Sequence, residues 1–142
     1  MVLVVVLLAA TTFGLYRRRT DGRVRQVSVS GVANADRFSA EDLSSPLGQQ
    51  ATLVQFSTAF CQPCRAARRV LGEVAGMVDG VRHVEIDAES SLDLVRRFGV
   101  TRTPTIFVLD ASGAVVRRAV GLPRKPDLVA ALGEAIPDAA GR

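Results

Sequence analysis

Apolar and polar positions divide the chain into a charge-free opening and a regularly patterned remainder. Met1 to Tyr16 holds no charged side chain and begins Val2-Leu3-Val4-Val5-Val6-Leu7-Leu8, and Arg17-Arg18-Arg19, Arg23 and Arg25 follow at once. The run is at the short limit for a membrane-spanning helix, which needs about 17 to 25 residues. A cleaved signal peptide would carry basic residues ahead of the run and a small-x-small site after it, and neither is present. The pattern predicts a transmembrane anchor over 1–16 and a basic juxtamembrane tether over 17–23. By the positive-inside rule the arginines hold the remainder on the cytoplasmic side, with the extracytoplasmic face as the alternative.

Val24 to Val29 alternates apolar and polar residues and reads as a first strand. Ser39-Ala40-Glu41-Asp42 is a capping box opening a short helix that ends by Gly48. Ala51 to Ser57 is apolar and β-branched enough for a buried strand, Arg65 to Met77 reads as a helix without an interior proline, and Val81 to Asp87 as a strand. A helix starts at Ser91, with Leu92, Val95 and Phe98 at helical spacing and Gly99 as its stop. Thr105 to Leu109 and Ala114 to Val120 are strands joined by the tight turn Asp110-Ala111-Ser112-Gly113, and Pro126 to Ile136 closes the domain as a helix. The order β-α-β-α-β-α-β-β-α specifies an α/β domain over 24–137, a mixed central sheet with helices on both faces, followed by a short tail over 138–142. About 115 residues suffice for one core.

The formal charge is +4 and is carried mostly by arginine. Arginines beside a membrane are drawn to anionic headgroups, which accounts for part of this excess. Aromatics are few and are not interleaved with basic residues, so no base-stacking nucleic-acid surface is expected. Arg65, Arg68 and Arg69 read by default as a solvated helix face; a second reading has them supporting a thiolate or attracting an acidic partner.

The chain has two cysteines, Cys61 and Cys64, within Phe60-Cys61-Gln62-Pro63-Cys64. They fall where a strand turns into a helix, where unpaired N–H groups and the positive end of the helix dipole favour thiolate over thiol. Cys61 is thus the reactive sulfur and Cys64, one turn further in, the resolving thiol. A zinc centre needs four ligands, and His83 is the one further soft ligand. Haem attachment needs a histidine after the second cysteine, where Arg65 stands. A static disulfide across so short a loop removes little unfolded-state entropy. Redox exchange is the leading reading. Soft-metal handling, such as copper(I) held with a second protomer, stays open beside it.

The succession Phe56, Phe60-Cys61-Gln62-Pro63-Cys64, Val84-Glu85-Ile86-Asp87, Phe98-Gly99-Val100-Thr101-Arg102-Thr103-Pro104-Thr105 and Val120-Gly121 resembles the thioredoxin family over about Gln50 to Ile136. The resemblance implies a thioredoxin-like fold and a thiol-disulfide oxidoreductase that needs no cofactor, acts on protein disulfides and is recharged by a reductase electron donor. It also implies that Pro104 is cis and lies beside the cysteines, and that Thr103 offers its backbone to the substrate, with Phe60, Gln62, Pro63 and Gly121 completing the substrate surface. Phe60 and Gln62 depart from the family's usual tryptophan and glycine. Gln55 stands where the family often has a buried aspartate that deprotonates the resolving cysteine, and an amide cannot accept that proton. His83, where many members carry lysine, is with Gln55 the candidate proton relay; a strand-end histidine facing water is its plainer reading. A binding scaffold with little turnover is the rival favoured by the missing acid.

Overall fold

The computed structural model describes residues 1–20, 25–26 and 37–137. Ala51–Ser57 is buried at all seven positions and forms the strand β2 around which the domain is arranged. Ahead of it lie helix α1 (Val2–Thr20), the two-residue strand β1 (Arg25–Gln26) and helix α2 (Ala40–Leu43). After it come α3 (Gln62–Met77), β3 (Val81–Asp87), α4 (Leu92–Arg97), β4 (Thr105–Asp110), β5 (Val115–Val120) and α5 (Lys125–Ala135). The sheet order is β1-β5-β4-β2-β3. β3 runs parallel to β2, whereas β2 with β4, β4 with β5 and β1 with β5 are antiparallel.

Alternation along β2 sends Ala51 and Leu53 to one face and Val54 and Phe56 to the other. On the first face they join Ala67, Leu71 and Val74 of α3 and Leu128, Ala131 and Leu132 of α5. On the second they join Phe38, Leu43 of α2, and Phe98 and Phe107, with Leu94 and Val95 of α4 packed against them. Phe38 stacks on Phe98 at 3.7 Å between ring centroids. It is held by a backbone hydrogen bond from its N–H to the Gly113 carbonyl, 2.9 Å. Gly113 has φ 84° and a Cβ there would lie 2.2 Å from the Phe38 carbonyl, so the hairpin turn needs glycine at this point.

The strands over 51–57 and 81–87 stand where the pattern puts them, and the Ser39–Asp42 capping box closes with both of its hydrogen bonds. α3 begins three residues earlier than Arg65. Pro63 occupies its first turn, where a missing N–H costs nothing, and Cys61 serves as its N-cap. The first strand expected over Val24–Val29 is described at Arg25–Gln26 alone; its remainder, residues 21–23 of the tether and the 138–142 tail lie outside the described residues.

The spanning anchor requires correction. α1 forms, yet among the described residues no helix is long and apolar enough to cross a membrane. Its charge-free part, Val2 to Tyr16, rises about 22 Å at 1.5 Å per residue, short of a hydrocarbon layer of about 30 Å. The helix then runs on through Arg17-Arg18-Arg19 to Thr20, within the segment expected to be a tether.

Phe38→Ala removes a fully buried ring that meets Phe56, Phe98 and Phe107. It should destabilise the domain by about 3–5 kcal/mol. Equilibrium chemical denaturation measures this, and a loss below about 1 kcal/mol would contradict the packing described.

Candidate active site

β2 ends at Ser57, and Thr58-Ala59-Phe60 carry the chain to the start of α3. Cys61 and Cys64 form a disulfide with their Cα atoms 5.2 Å apart. Cys64 is 1% exposed and Phe60 is 96% exposed, with Cys61 between them in accessibility. A second sulfur approaching from solvent can therefore reach Cys61 alone. The Cys64 N–H donates to Cys61 Sγ at 3.2 Å, so the end of the helix is aimed at the sulfur that would carry charge on reduction.

The Thr103–Pro104 peptide bond is cis. Pro104 is buried, and its carbonyl accepts the Gly121 N–H at 2.8 Å, which ties the loop to the end of β5. Thr103 Oγ1 lies 3.3 Å from Thr58 Oγ1, linking the proline loop to the segment that leads into Cys61. Phe60, Gln62 and Pro63, which flank Cys61 in the chain, are exposed.

A polar network lies behind the disulfide. Gln55 is fully buried; its Nε2 donates to the Cys64 carbonyl at 2.9 Å and to Ser57 Oγ at 3.2 Å. Its Oε1 is thereby left to accept, and His83 Nε2, 3.2 Å away, must carry the hydrogen. Gln55 and His83 are brought together as expected, but the amide stands between the imidazole and Cys64. An amide neither takes nor gives a proton near neutrality, so this arrangement holds the helix turn rather than relaying a proton. Burial pushes the His83 pKa below its ordinary 6.5; the nearby Glu85 charge opposes this and the Arg68 charge reinforces it.

Two polar residues that the sequence did not single out complete the network. Ser57 Oγ donates to Glu85 Oε1 at 2.7 Å. Arg68 grips both oxygens of Glu85, Nε to Oε2 and Nη2 to Oε1, each at 2.6 Å. The Arg68 hydrogen bonds hold the Glu85 carboxyl below the usual carboxylate range against partial burial, helped by Ser57. In the parallel pairing Gln55 is opposite Glu85 and Ser57 opposite Asp87, so His83 and Glu85 share the face under α3. An open pocket of about 500 Å³ is lined by Ser57, Thr58, both cysteines, Arg68 and Glu85. Among the described residues no three His, Cys, Asp or Glu side chains gather as a metal site, so Cys61, Cys64 and His83 are not brought together as ligands.

The Thioredoxin family model matches residues 31–134. A thioredoxin of Chlamydia muridarum (strain MoPn / Nigg) is 33% identical over 98 residues, covering 69% of this chain and 90% of that protein. A bifunctional thioredoxin reductase/thioredoxin of Mycobacterium leprae (strain TN) is 30% identical over 120 residues, covering 84% of this chain and 25% of that one. The crystal structure of chloroplastic thioredoxin z superposes with a TM-score of 0.58 at 24% identity, covering 74% of this chain and 96% of that one. The fold and the disulfide at a helix start already defined a thiol-disulfide oxidoreductase. The chain belongs to the thioredoxin family.

His83 yields a prediction with a definite sign. Because its folded pKa is depressed, the unfolded chain binds more protons just below pH 6.5, so stability rises with pH through that window and is lost as pH falls below it. The Tm of the protein should drop between pH 7 and 5.5. His83→Gln, which keeps an N–H for Gln55, should show a smaller drop. Glu85, also depressed, loses its contribution only below about pH 4.3 and does not blur the window. Equal drops in both proteins would contradict the half-buried, neutral imidazole.

Proposed function

We propose that the chain reduces protein disulfides through Cys61-Gln62-Pro63-Cys64, with Cys61 as nucleophile and Cys64 as resolving thiol. The observation that carries this is the unequal exposure of the two sulfurs at the start of α3. The Cys61 thiolate attacks one sulfur of the substrate disulfide and expels the other as a thiolate. The mixed disulfide then lies along Thr103-Pro104, with Phe60 as an exposed aromatic contact and Gln62, Pro63 and Gly121 around it. Cys64 attacks Cys61 Sγ, forming the Cys61–Cys64 disulfide and releasing the second substrate thiol. The substrate gains two electrons and two protons, and the enzyme's dithiol loses them. A thiol-disulfide reductase recharges the pair, a reading supported by the Mycobacterium leprae relative, whose name joins a thioredoxin reductase to a thioredoxin.

Cys61→Ser should abolish insulin-disulfide reduction with dithiothreitol. Cys64→Ser should keep the first attack and accumulate mixed disulfides on Cys61, because resolution alone is lost. A scaffold with little turnover, or a copper-holding pair, would leave the wild type as slow as Cys61→Ser in this assay.

We further propose that α1 attaches the domain to the cytoplasmic face of a membrane. Val2, Val4, Val5, Val6, Leu7, Leu8, Phe13 and Leu15 are all exposed, which places apolar side chains around the whole helix. Arg17-Arg18-Arg19 directly after them suit anionic headgroups. The protein should float with phosphatidylserine-containing vesicles, and Leu8→Asp should weaken flotation. Recovery of the wild type in the unbound fraction would reject the attachment.

A further inference from the structure

Given dithiol exchange at Cys61 and Cys64, we propose that Glu85 is the proton acceptor that frees Cys64 to resolve the mixed disulfide, with Ser57 as bridging hydroxyl and Arg68 as a positioning residue. Cys64 is almost wholly buried, and its thiol proton meets solvent only through the pocket that Cys64 lines with Cys61, where water is a far weaker base than a carboxylate. Gln55 cannot take it, and His83 lies behind Gln55. What remains is the pocket that both cysteines line. The carboxylates there are Glu85 and Asp87. Asp87 is turned into its own loop, accepting the Glu89 N–H at 3.0 Å and the Ser90 hydroxyl at 2.8 Å. Glu85 is instead fixed between β2 and α3 by Ser57 and by the Arg68 fork.

Ser57 has the right connectivity for a bridge. Its Oγ accepts one hydrogen from Gln55 and donates its own to Glu85, and a hydroxyl oxygen has a second lone pair. A Cys64 S–H directed at that lone pair passes its proton to Oγ as the hydroxyl proton moves to Glu85. The charged and titratable groups facing Glu85 are Arg68 and Arg65 from α3, and His83 and Asp87 from β3. Arginine pairing makes Glu85 a weak base, yet a far stronger one than a water molecule held in the same pocket. The step balances: the Cys64 sulfur bonds to Cys61 Sγ as the bond from Cys61 to the substrate sulfur breaks. The departing thiolate then takes back the proton that Glu85 received.

The test is single-turnover reaction of the reduced full-length protein with excess 5,5′-dithiobis(2-nitrobenzoate), followed by stopped flow from about pH 3.5 to 9, a range that includes the acid side of Glu85. The first release of nitrothiobenzoate reports attack by Cys61 and the second reports resolution by Cys64. Glu85→Gln should slow the second phase about 10-fold or more near pH 6–7, with the gap closing at high pH as Cys64 ionises unaided. Glu85→Asp should recover part of the rate. Arg68→Gln removes the charge that depresses Glu85, so the acid limb of the second phase should move to higher pH; in the Glu85→Gln background there should be no limb to move. A second phase that is unchanged or faster in Glu85→Gln overturns the proposal, since a carboxylate acting only by its charge would hinder thiolate formation. Should Glu85→Gln not fold, an unshifted limb in Arg68→Gln overturns it instead. A wild type that releases no second nitrothiobenzoate would defeat the exchange reading itself, a separate failure.

Discussion

The hydrogen bond from Gln55 Nε2 to the Cys64 carbonyl, 2.9 Å long and fully buried, couples the central strand to the first turn of the helix that carries both cysteines. Unmade, it would leave one buried N–H of the Gln55 amide without a partner, at a cost of about 1–3 kcal/mol. Because β2 is fixed on both sides by β3 and β4, the bond transmits the position of the sheet to the sulfurs. It sets Cys64 down against the core and so leaves Cys61 at the rim. The division of labour between two chemically identical side chains follows from where this one amide holds the helix.

That dependence explains what the residues could tell in advance. The buried strand, its parallel partner and the capping box were legible because each rests on local patterning: apolar runs, alternation and a Ser-x-x-Asp spacing. The start of α3 was misplaced because the N-cap there is a cysteine sulfur, outside the usual capping residues. Glu85 was hidden for a related reason. Its strand is an edge strand with mostly part-exposed positions, so a carboxylate on it reads as ordinary surface. Only the pairing register with β2, a tertiary fact, places it beneath α3. Arg68 likewise read as solvated helix face, since nothing along the helix reveals a partner seventeen residues away on another element.

α1 marks the limit of reasoning from hydropathy. Its apolar residues are continuous enough to signal burial, and the helix does form, but the uninterrupted length falls short of the hydrocarbon thickness. Mean hydropathy reports how much a segment gains by leaving water. Geometry decides which non-aqueous environment it can fill.

Where the family often buries a carboxylate, this chain buries an amide and holds its carboxylate at the pocket wall. A charge in the position of Gln55 would sit against the Cys64 carbonyl with only His83 and the Ser57 hydroxyl as donors, and the desolvation would be poorly repaid. The amide, by contrast, places two donors on two acceptors and one acceptor on one donor, and no buried side-chain polar atom among the described residues lacks a partner. Glu85, partly exposed and paired with Arg68 and Ser57, carries its charge at far lower desolvation cost. Moving the negative charge outward by one strand therefore relieves the core while keeping an acceptor in the space that Cys64 faces. The exchange also accounts for the imidazole: once the central group is an amide, the group behind it must donate a hydrogen without needing charge, and a neutral histidine does so where a buried lysine would have to be desolvated.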